Sequence, residues 1–160
     1  MKCRSLLATS LLYAAAASAA TVCNGDASLC TKKFSDVSVV GAHNSYTASN
    51  TNLAANQDYG VTQQLTDGVR MLQNQVHLQN GALRLCHTSC LLYDGGLLTD
   101  YLKKVKTWMD ANPNEVVTIL LVNIDNQPAS SFATAYTTAG LDKIAYAPPQ
   151  ATMANDGWPT

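Results

Sequence analysis

Two of the three histidines in this sequence, His43 and His87, combine a residue type and a setting that suit proton transfer. His43 ends an apolar run in the motif Gly-Ala-His-Asn-Ser-Tyr, and His87 lies between two cysteines in the motif Cys-His-Thr-Ser-Cys. Imidazole both accepts and donates protons near neutral pH, so a pair of histidines at strand ends predicts a general acid and a general base. The alternative is an ordinary loop or strand role, which is the more frequent one for a single histidine.

The N-terminal segment is typical of a secretory signal. Lys2 and Arg4 precede an apolar stretch over residues 6–17, and the small residues that follow suit signal peptidase. We therefore expect a signal peptide over residues 1–20 and one domain over residues 21–160, secreted to the extracellular space. No later segment is long and apolar enough to predict a membrane span.

Four cysteines follow the predicted signal: Cys23, Cys30, Cys86 and Cys90. An even number in an exported protein indicates two disulfides, for which three pairings exist. The local pairing, Cys23 with Cys30 and Cys86 with Cys90, is favoured because each bond closes a small loop and the second fixes the backbone on both sides of His87. A zinc site at Cys86, His87 and Cys90 is the competing interpretation, but the sequence offers no second ligand pair.

The charge of the chain argues against a nucleic acid partner. The formal net charge is −1, only 13% of the residues are charged, and no basic run occurs. Nucleic acids and anionic surfaces recruit clustered lysine and arginine, so neither is indicated as an electrostatic partner.

Hydrophobic periodicity predicts the strands and turns that position the histidines. Residues 37–41 form a short β-prone run before His43, and residues 62–66 suit a helical turn. Residues 69–78 alternate as a strand with Gln73, Gln75 and His77 on one polar face, and residues 83–87 follow an Asn-Gly turn, as in a hairpin or a bent strand pair.

The second half of the chain predicts helices around a buried strand. Apolar residues recur at helical spacing over residues 97–109, and this helix should end near Pro113. Residues 116–122 are almost uninterruptedly aliphatic, as in a parallel strand buried on both faces. A further helix is expected from a cap at Ser130 or Ser131 to Gly140. The order of elements predicts an α/β domain with parallel strands and alternating helices.

Four motifs carry a resemblance to a known family: Gly41-Ala-His-Asn-Ser-Tyr, Gly68-Val-Arg-Met-Leu-Gln-Asn-Gln, Leu85-Cys-His-Thr-Ser-Cys and Trp108-Met-Asp-Ala-Asn-Pro-Asn-Glu-Val-Val. In order and spacing the chain resembles secreted fungal-type phosphodiesterases related to the X domain of phosphatidylinositol-specific phospholipase C. The resemblance implies a TIM barrel with its site at the carboxyl ends of the early strands. The chain has room for roughly three or four of the eight strand–helix units. We therefore expect the N-terminal portion of a barrel, as a fragment, an incomplete gene product or a half that needs a partner.

The resemblance also implies a reaction. In such enzymes the inositol 2-hydroxyl attacks its own phosphodiester, which gives a cyclic phosphate and releases diacylglycerol. His43 would be the general base and His87 the general acid, and a bell-shaped pH profile would follow. The implied substrate is a phospholipid or another phosphodiester, reached by peripheral contact with a membrane surface, and the implied process is lipid metabolism.

Asn44, Arg70, Gln73 and Gln75 are the predicted substrate-binding residues. Calcium-dependent relatives carry carboxylates where this chain has Gln73 and Gln75, so calcium is not expected and no cofactor is predicted. Metal-independent relatives place an arginine at the position of Gln75. Arg70 is the nearest cation, but strand alternation places it on the opposite face, where a structural hydrogen-bonding role is the alternative.

Two function classes therefore remain open. The first is a phosphodiesterase of the phospholipase C type. The second is a relative that lost catalysis and binds a phosphorylated ligand or a glycan, which the neutral glutamines and the short chain favour.

Overall fold

The computed structural model describes residues 21–160, so the predicted signal peptide over residues 1–20 lies outside the described residues. The strands are β1 (Gly41–Ala42), β2 (Met71–Gln79), β3 (Ala82–Cys86), β4 (Asp94–Leu97) and β5 (Thr118–Asn123). The α-helices are α1 (Val61–Thr66), α2 (Leu98–Ala111) and α3 (Ala129–Ala139), and short 3-10 helices occupy Ala27–Thr31, Phe34–Asp36, Leu141–Lys143 and Asn155–Gly157. No helix within residues 21–160 is long and apolar enough to cross a membrane.

The five strands form a curled half-barrel sheet around β2. One edge of β2 pairs with β5 in parallel, from Met71 opposite Thr118 to Val76 opposite Asn123. The other edge pairs with β1 in parallel at its start and with β3 in antiparallel fashion at its end. The architecture is therefore the expected partial barrel of mixed α and β elements.

The hairpin expected at the Asn-Gly turn is formed, so β3 and β4 are antiparallel additions to the parallel strands β1, β2 and β5. Asn80 and Gly81 both have positive φ, 54° and 76°, and so form the two-residue turn that joins β2 to β3 as a hairpin. β4 then pairs antiparallel to β3. Only β1, β2 and β5 run in parallel, and the direction of β3 proves decisive for the placement of His87.

The core lies between β2 and the helices. Leu72 and Val76 of β2 are buried in one cluster with Leu98, Leu102 and Val105 of α2. The predicted apolar face of α2 is confirmed, because its buried residues are Leu98, Tyr101, Leu102, Val105 and Trp108. The helix ends at Ala111, two residues before Pro113.

Three predicted element details differ from the structure. β5 is not buried on both faces, since Leu120 is 47% exposed and, within the described residues, β5 pairs only with β2. The strand expected over residues 37–41 is reduced to Gly41–Ala42, with Val40 66% exposed. Helix α3 begins at Ala129 with Pro128 at the N-cap position, rather than being capped by Ser130 or Ser131, because proline already supplies a helix-compatible φ.

Candidate active site

Sheet topology brings the two histidines toward one segment of β2. β1 ends at Ala42, opposite Leu72, and runs in the direction of β2. β3 runs against β2 and ends at Cys86, one residue beyond the pairing of Leu85 with Val76. The carboxyl ends of β1 and β3 thus approach each other along one edge of β2, and His43 and His87 are the residues that follow these ends.

Two glutamines of β2 hold the backbone just after each histidine. The Oε1 atom of Gln73 accepts a hydrogen bond from the Asn44 backbone N–H at 2.9 Å, and the Oε1 atom of Gln75 accepts one from the Thr88 backbone N–H at 2.9 Å. Asn44 and Thr88 have positive φ, 46° and 63°. A β-branched residue rarely adopts this conformation, so the Thr88 turn is held against a local conformational cost.

His43 is oriented by its neighbour Asn44. The Nδ2 atom of Asn44 lies 3.1 Å from His43 Nε2 and donates to Asn56 Oδ1 at 3.1 Å. Because this amide nitrogen can only donate, His43 Nε2 is the acceptor and its ring proton lies on Nδ1. Asn44 is fully buried, whereas His43 is exposed. This contact fixes the ring and occupies the Nε2 lone pair, so Nε2 can take a proton only when the hydrogen bond to Asn44 is released.

His87 is oriented by a backbone carbonyl. Its Nδ1 atom lies 2.7 Å from the Ala54 carbonyl oxygen, which can only accept, so Nδ1 carries the proton and Nε2 is the position open to exchange. The His87 backbone N–H donates to the Tyr93 carbonyl at 3.1 Å. Both bonds hold the ring at the sheet edge in a half-buried position.

The loop over residues 48–57 supports both histidines, a role that its sequence did not reveal. Besides the Ala54 carbonyl at His87, Gln57 Nε2 donates to the His43 carbonyl at 2.7 Å. The Tyr93 hydroxyl donates to the Ala48 carbonyl at 2.9 Å, which ties this loop to the segment after His87. Asn56 and Gln57 could have been suspected as polar residues in a small-residue loop, but a backbone carbonyl carries no sequence signal.

Both favoured disulfides, Cys23–Cys30 and Cys86–Cys90, are formed. Their sulfurs are consumed in S–S bonds, so Cys86 and Cys90 supply no thiolate and the zinc interpretation fails. The second disulfide closes the segment that contains His87 and Thr88, as its spacing predicted.

The structure places Arg70 apart from the histidines. Its Nε and Nη2 atoms contact Glu115 Oε2 at 2.8 and 2.6 Å, and Nη1 donates to the Leu65 and Val69 carbonyls at 2.6 and 3.0 Å. The guanidinium also lies 4.8 Å from the centre of the Trp108 ring. These contacts correspond to the structural alternative for Arg70.

Charged residues share the β2 face that carries Gln73, Gln75 and His77, here called the glutamine face. Arg84 lies opposite His77 in the β2–β3 pairing and so projects to that face. It forms an ion pair with Asp94 at 2.8 Å, and this hydrogen-bonded arginine lowers the pKa of Asp94. His77 Nδ1 lies 3.4 Å from Asp125 Oδ2. Both carboxylates on this face therefore have basic partners.

A hydroxyl and amide network supports the site from the opposite face of β2. The Ser45 hydroxyl donates to Asn74 Oδ1 at 3.2 Å and forms a short hydrogen bond with the Tyr101 hydroxyl. Burial raises the pKa of Tyr101 to about 12, so it remains a neutral hydroxyl. The network anchors the residues after His43 to α2.

Comparisons with known proteins agree with this geometry. A family model described as PI-PLC X matches residues 29–160. An uncharacterized secreted protein of Arthroderma benhamiae is 43% identical over 86% of this chain and 31% of its own length. A PI-PLC X domain-containing protein 1 of the same organism is 41% identical over 97% of this chain and 51% of its own length.

A solved structure supports the fold. The phosphatidylinositol-specific phospholipase C of Staphylococcus aureus aligns with a TM-score of 0.59 and 17% identity, over 81% of this chain and 47% of that chain. The chain thus spans about half or less of the length of these relatives. With the family match over most of its length, the chain belongs to the PI-PLC X-domain family and has a phospholipase C-like phosphodiesterase fold.

Proposed function

We propose that this chain carries the histidine pair of a secreted phosphoric diester hydrolase or lyase of the phosphatidylinositol phospholipase C type. The observation that carries the proposal is the approach of His43 and His87 along one edge of β2, each with its ring oriented by a defined partner. We assign the phosphodiesterase activity to the protein that contains this half barrel.

The proposed reaction divides two proton transfers between the histidines. Once its Nε2 atom is released from Asn44, His43 takes the proton of the inositol 2-hydroxyl, whose oxygen forms a bond to phosphorus while the bond from phosphorus to the glycerol oxygen breaks. His87 supplies a proton to that leaving oxygen, so a cyclic inositol phosphate and diacylglycerol are the products. Because His43 must begin neutral and His87 protonated, we expect a bell-shaped dependence of kcat/KM on pH.

Asn44, Gln73 and Gln75 complete the proposed site. Asn44 directs His43 through its Nδ2 atom, and the glutamines hold the turns after both histidines. Neutral amides are poor replacements for the carboxylates that bind a hard cation, so this chemistry is proposed without calcium. Arg70 is left in its structural role because its donors are already engaged.

The same proposal assigns a location and a substrate source. A signal peptide over residues 1–20 directs the domain over residues 21–160 to the extracellular space, which fits the two disulfides. Leu53, next to Ala54, and Leu91, next to Cys90, are fully exposed, at 104% and 101%. Both flank the contacts of His87, so peripheral contact with a phospholipid surface, and a role in lipid metabolism, are part of the proposal.

A second candidate function is the binding of a phosphorylated ligand or a glycan without turnover. The feature that favours it is the neutral pair Gln73 and Gln75, since the family resemblance implies charged groups at these positions. Without a cation, charge that develops on the phosphate loses its strongest stabiliser.

The experiment that separates these functions uses two protein lengths. The chain from Thr21 and a form extended through any downstream reading frame are incubated with phosphatidylinositol vesicles, and cyclic inositol phosphate is measured with His43→Ala and His87→Ala controls. Release that both substitutions abolish supports the enzyme, in the short or the extended form. No release from either form, with retained binding of inositol phosphate, supports the binding function.

A further inference from the structure

We propose that Gln73 and Gln75 form a neutral anion-binding pair, whose two side-chain NH₂ groups bind the oxygens of a phosphodiester monoanion in place of a metal ion or an arginine. The choice of ligand rests on the proposed function. The assignment of atoms rests on the geometry of the two glutamines alone.

The orientation of each amide is determined by its partner. A backbone N–H only donates, so the atoms that face the Asn44 and Thr88 N–H groups at 2.9 Å are the Oε1 atoms of Gln73 and Gln75. Each Nε2 atom therefore points away from the turn that its Oε1 atom holds. The amides are fixed by the same turns that follow the two histidines, so the direction of their donors is set before a ligand binds.

The donors are free to bind a ligand. Among the hydrogen bonds of residues 21–160, neither the Gln73 nor the Gln75 Nε2 atom has a partner, and both side chains are only partly buried. Other glutamines differ. Gln57 donates through Nε2 to the His43 carbonyl, and Gln64 does so to the carbonyls of Ser45 and Tyr59.

The position of the pair suits an anion between the proposed base and acid. Gln73 and Gln75 are two residues apart on β2 and so share a face, with Cα atoms roughly 7 Å apart. One amide adjoins the turn after His43 and the other the turn after His87. An oxyanion bound by both NH₂ groups would therefore place phosphorus between the two imidazoles.

The charges on this face are compatible with an anion. Asp94 is paired with Arg84, and Asp125 lies 3.4 Å from His77. Neither carboxylate forms a hydrogen bond with Gln73 or Gln75. Two oriented N–H donors in this setting supply partial positive charge without the desolvation cost of a buried cation.

Substitution by glutamate separates the two roles of each side chain. In Gln73→Glu and Gln75→Glu, a carboxylate oxygen still accepts the backbone N–H, so the turns after both histidines stay in place. The NH₂ donor is replaced by a negatively charged oxygen that repels an anion. Gln79→Glu is the matched control, because Gln79 is exposed, lies on the same β2 face and adds the same charge roughly 13 Å from Gln75.

The test is a nuclear magnetic resonance titration of the ¹⁵N-labelled chain from Thr21 with dimethyl phosphate in the presence of a metal chelator. The side-chain NH₂ signals of Gln73 and Gln75 are identified by their loss in the single glutamate variants. We expect both signals to shift on titration and each glutamate substitution to weaken binding by roughly tenfold or more, with Gln79→Glu within about twofold of wild type.

Two results would overturn the proposed anion-binding pair. The first is no shift of either NH₂ signal, and the second is equal affinity for dimethyl phosphate in wild type and the Gln73→Glu/Gln75→Glu variant. The wild-type titration decides the matter if that double variant does not fold. Different results test the proposed function and the anion-binding pair. If the glutamine pair binds the anion as described but no cyclic phosphate is released, the anion-binding pair stands and the proposed reaction is rejected. If cyclic phosphate is released but the glutamate variants bind dimethyl phosphate as wild type does, the reaction stands and the anion-binding pair is rejected.

Discussion

Replacement of Arg70 by methionine should destabilise the fold far more than the same change at Arg84. Both arginines form ion pairs with a carboxylate, at 2.6 Å for Arg70 with Glu115 and 2.8 Å for Arg84 with Asp94. The side chains of the first pair are 10% and 13% exposed and those of the second 28% and 36%. Comparing the two substitutions therefore tests how burial changes the contribution of an ion pair to the stability of one chain.

The expected magnitude follows from what each substitution leaves behind. Arg70→Met leaves the largely buried Glu115 carboxylate without its partner and removes the donors to the Leu65 and Val69 carbonyls. Loss of one partner of a buried pair costs about 3–5 kcal/mol in free energy of unfolding. Arg84→Met breaks a partly exposed pair, for which about 0–1 kcal/mol is expected.

The assay is urea unfolding at pH 7 followed by circular dichroism, with Glu115→Gln as a milder change to the buried pair. The affinity for dimethyl phosphate is measured on the folded fraction of each variant. A structural Arg70 predicts a large loss of stability with anion binding kept within about twofold of wild type. Equal losses of stability in Arg70→Met and Arg84→Met, or loss of anion binding in folded Arg70→Met, would refute the reasoning.

Three further predictions concern the supports of the site. Replacing Cys86 and Cys90 by serine and, separately, Cys23 and Cys30 by serine should each cost about 2 kcal/mol in urea unfolding, but only the first pair should reduce turnover, because only that disulfide encloses His87. Gly95→Ala should cost about 1–3 kcal/mol and Gly60→Ala less than about 1 kcal/mol in thermal unfolding, since a Cβ atom at Gly95 would overlap the Tyr46 ring and a Cβ atom at Gly60 meets nothing within 4 Å. Arg84 lowers the pKa of Asp94, so their pairing stabilises the fold above the ordinary aspartate pKa of about 3.9 and the contribution is lost as pH falls through the lower folded-state value. Asp94→Asn should therefore flatten the decline of stability in acid, and an unchanged acid limb would contradict this assignment.

Local patterns were sufficient to predict most elements and the two histidine positions. The apolar spacing over residues 97–109 predicted α2, and alternation over residues 69–78 predicted the glutamine face of β2. These signals are strong because each is set by burial against one continuous core.

Pairing between distant segments explains what the sequence could not predict. Residues 116–122 are aliphatic as in a central strand, but β5 pairs with only one described strand, so Leu120 is exposed. The β2–β3 hairpin is the opposite case, because its Asn-Gly turn is visible in the sequence and sets the register that brings His87 toward β2 and Arg84 onto the glutamine face. Bonds made through backbone groups, such as Ala54 with His87, depend on loop conformation rather than on side-chain type.

The central claim is that His43 and His87 act as base and acid on a phosphodiester, and two leaving groups test it most directly. The catalytically active form of the protein is assayed on phosphatidylinositol, whose alkoxide leaving group needs a proton, and on the p-nitrophenyl ester of inositol phosphate, whose leaving group does not. We expect His43→Ala to lower kcat/KM on both substrates by roughly a hundredfold or more, and His87→Ala to do so on phosphatidylinositol while retaining most activity on the nitrophenyl ester. Equal losses for His87→Ala on both substrates, or wild-type rates in either variant, would contradict the assignment.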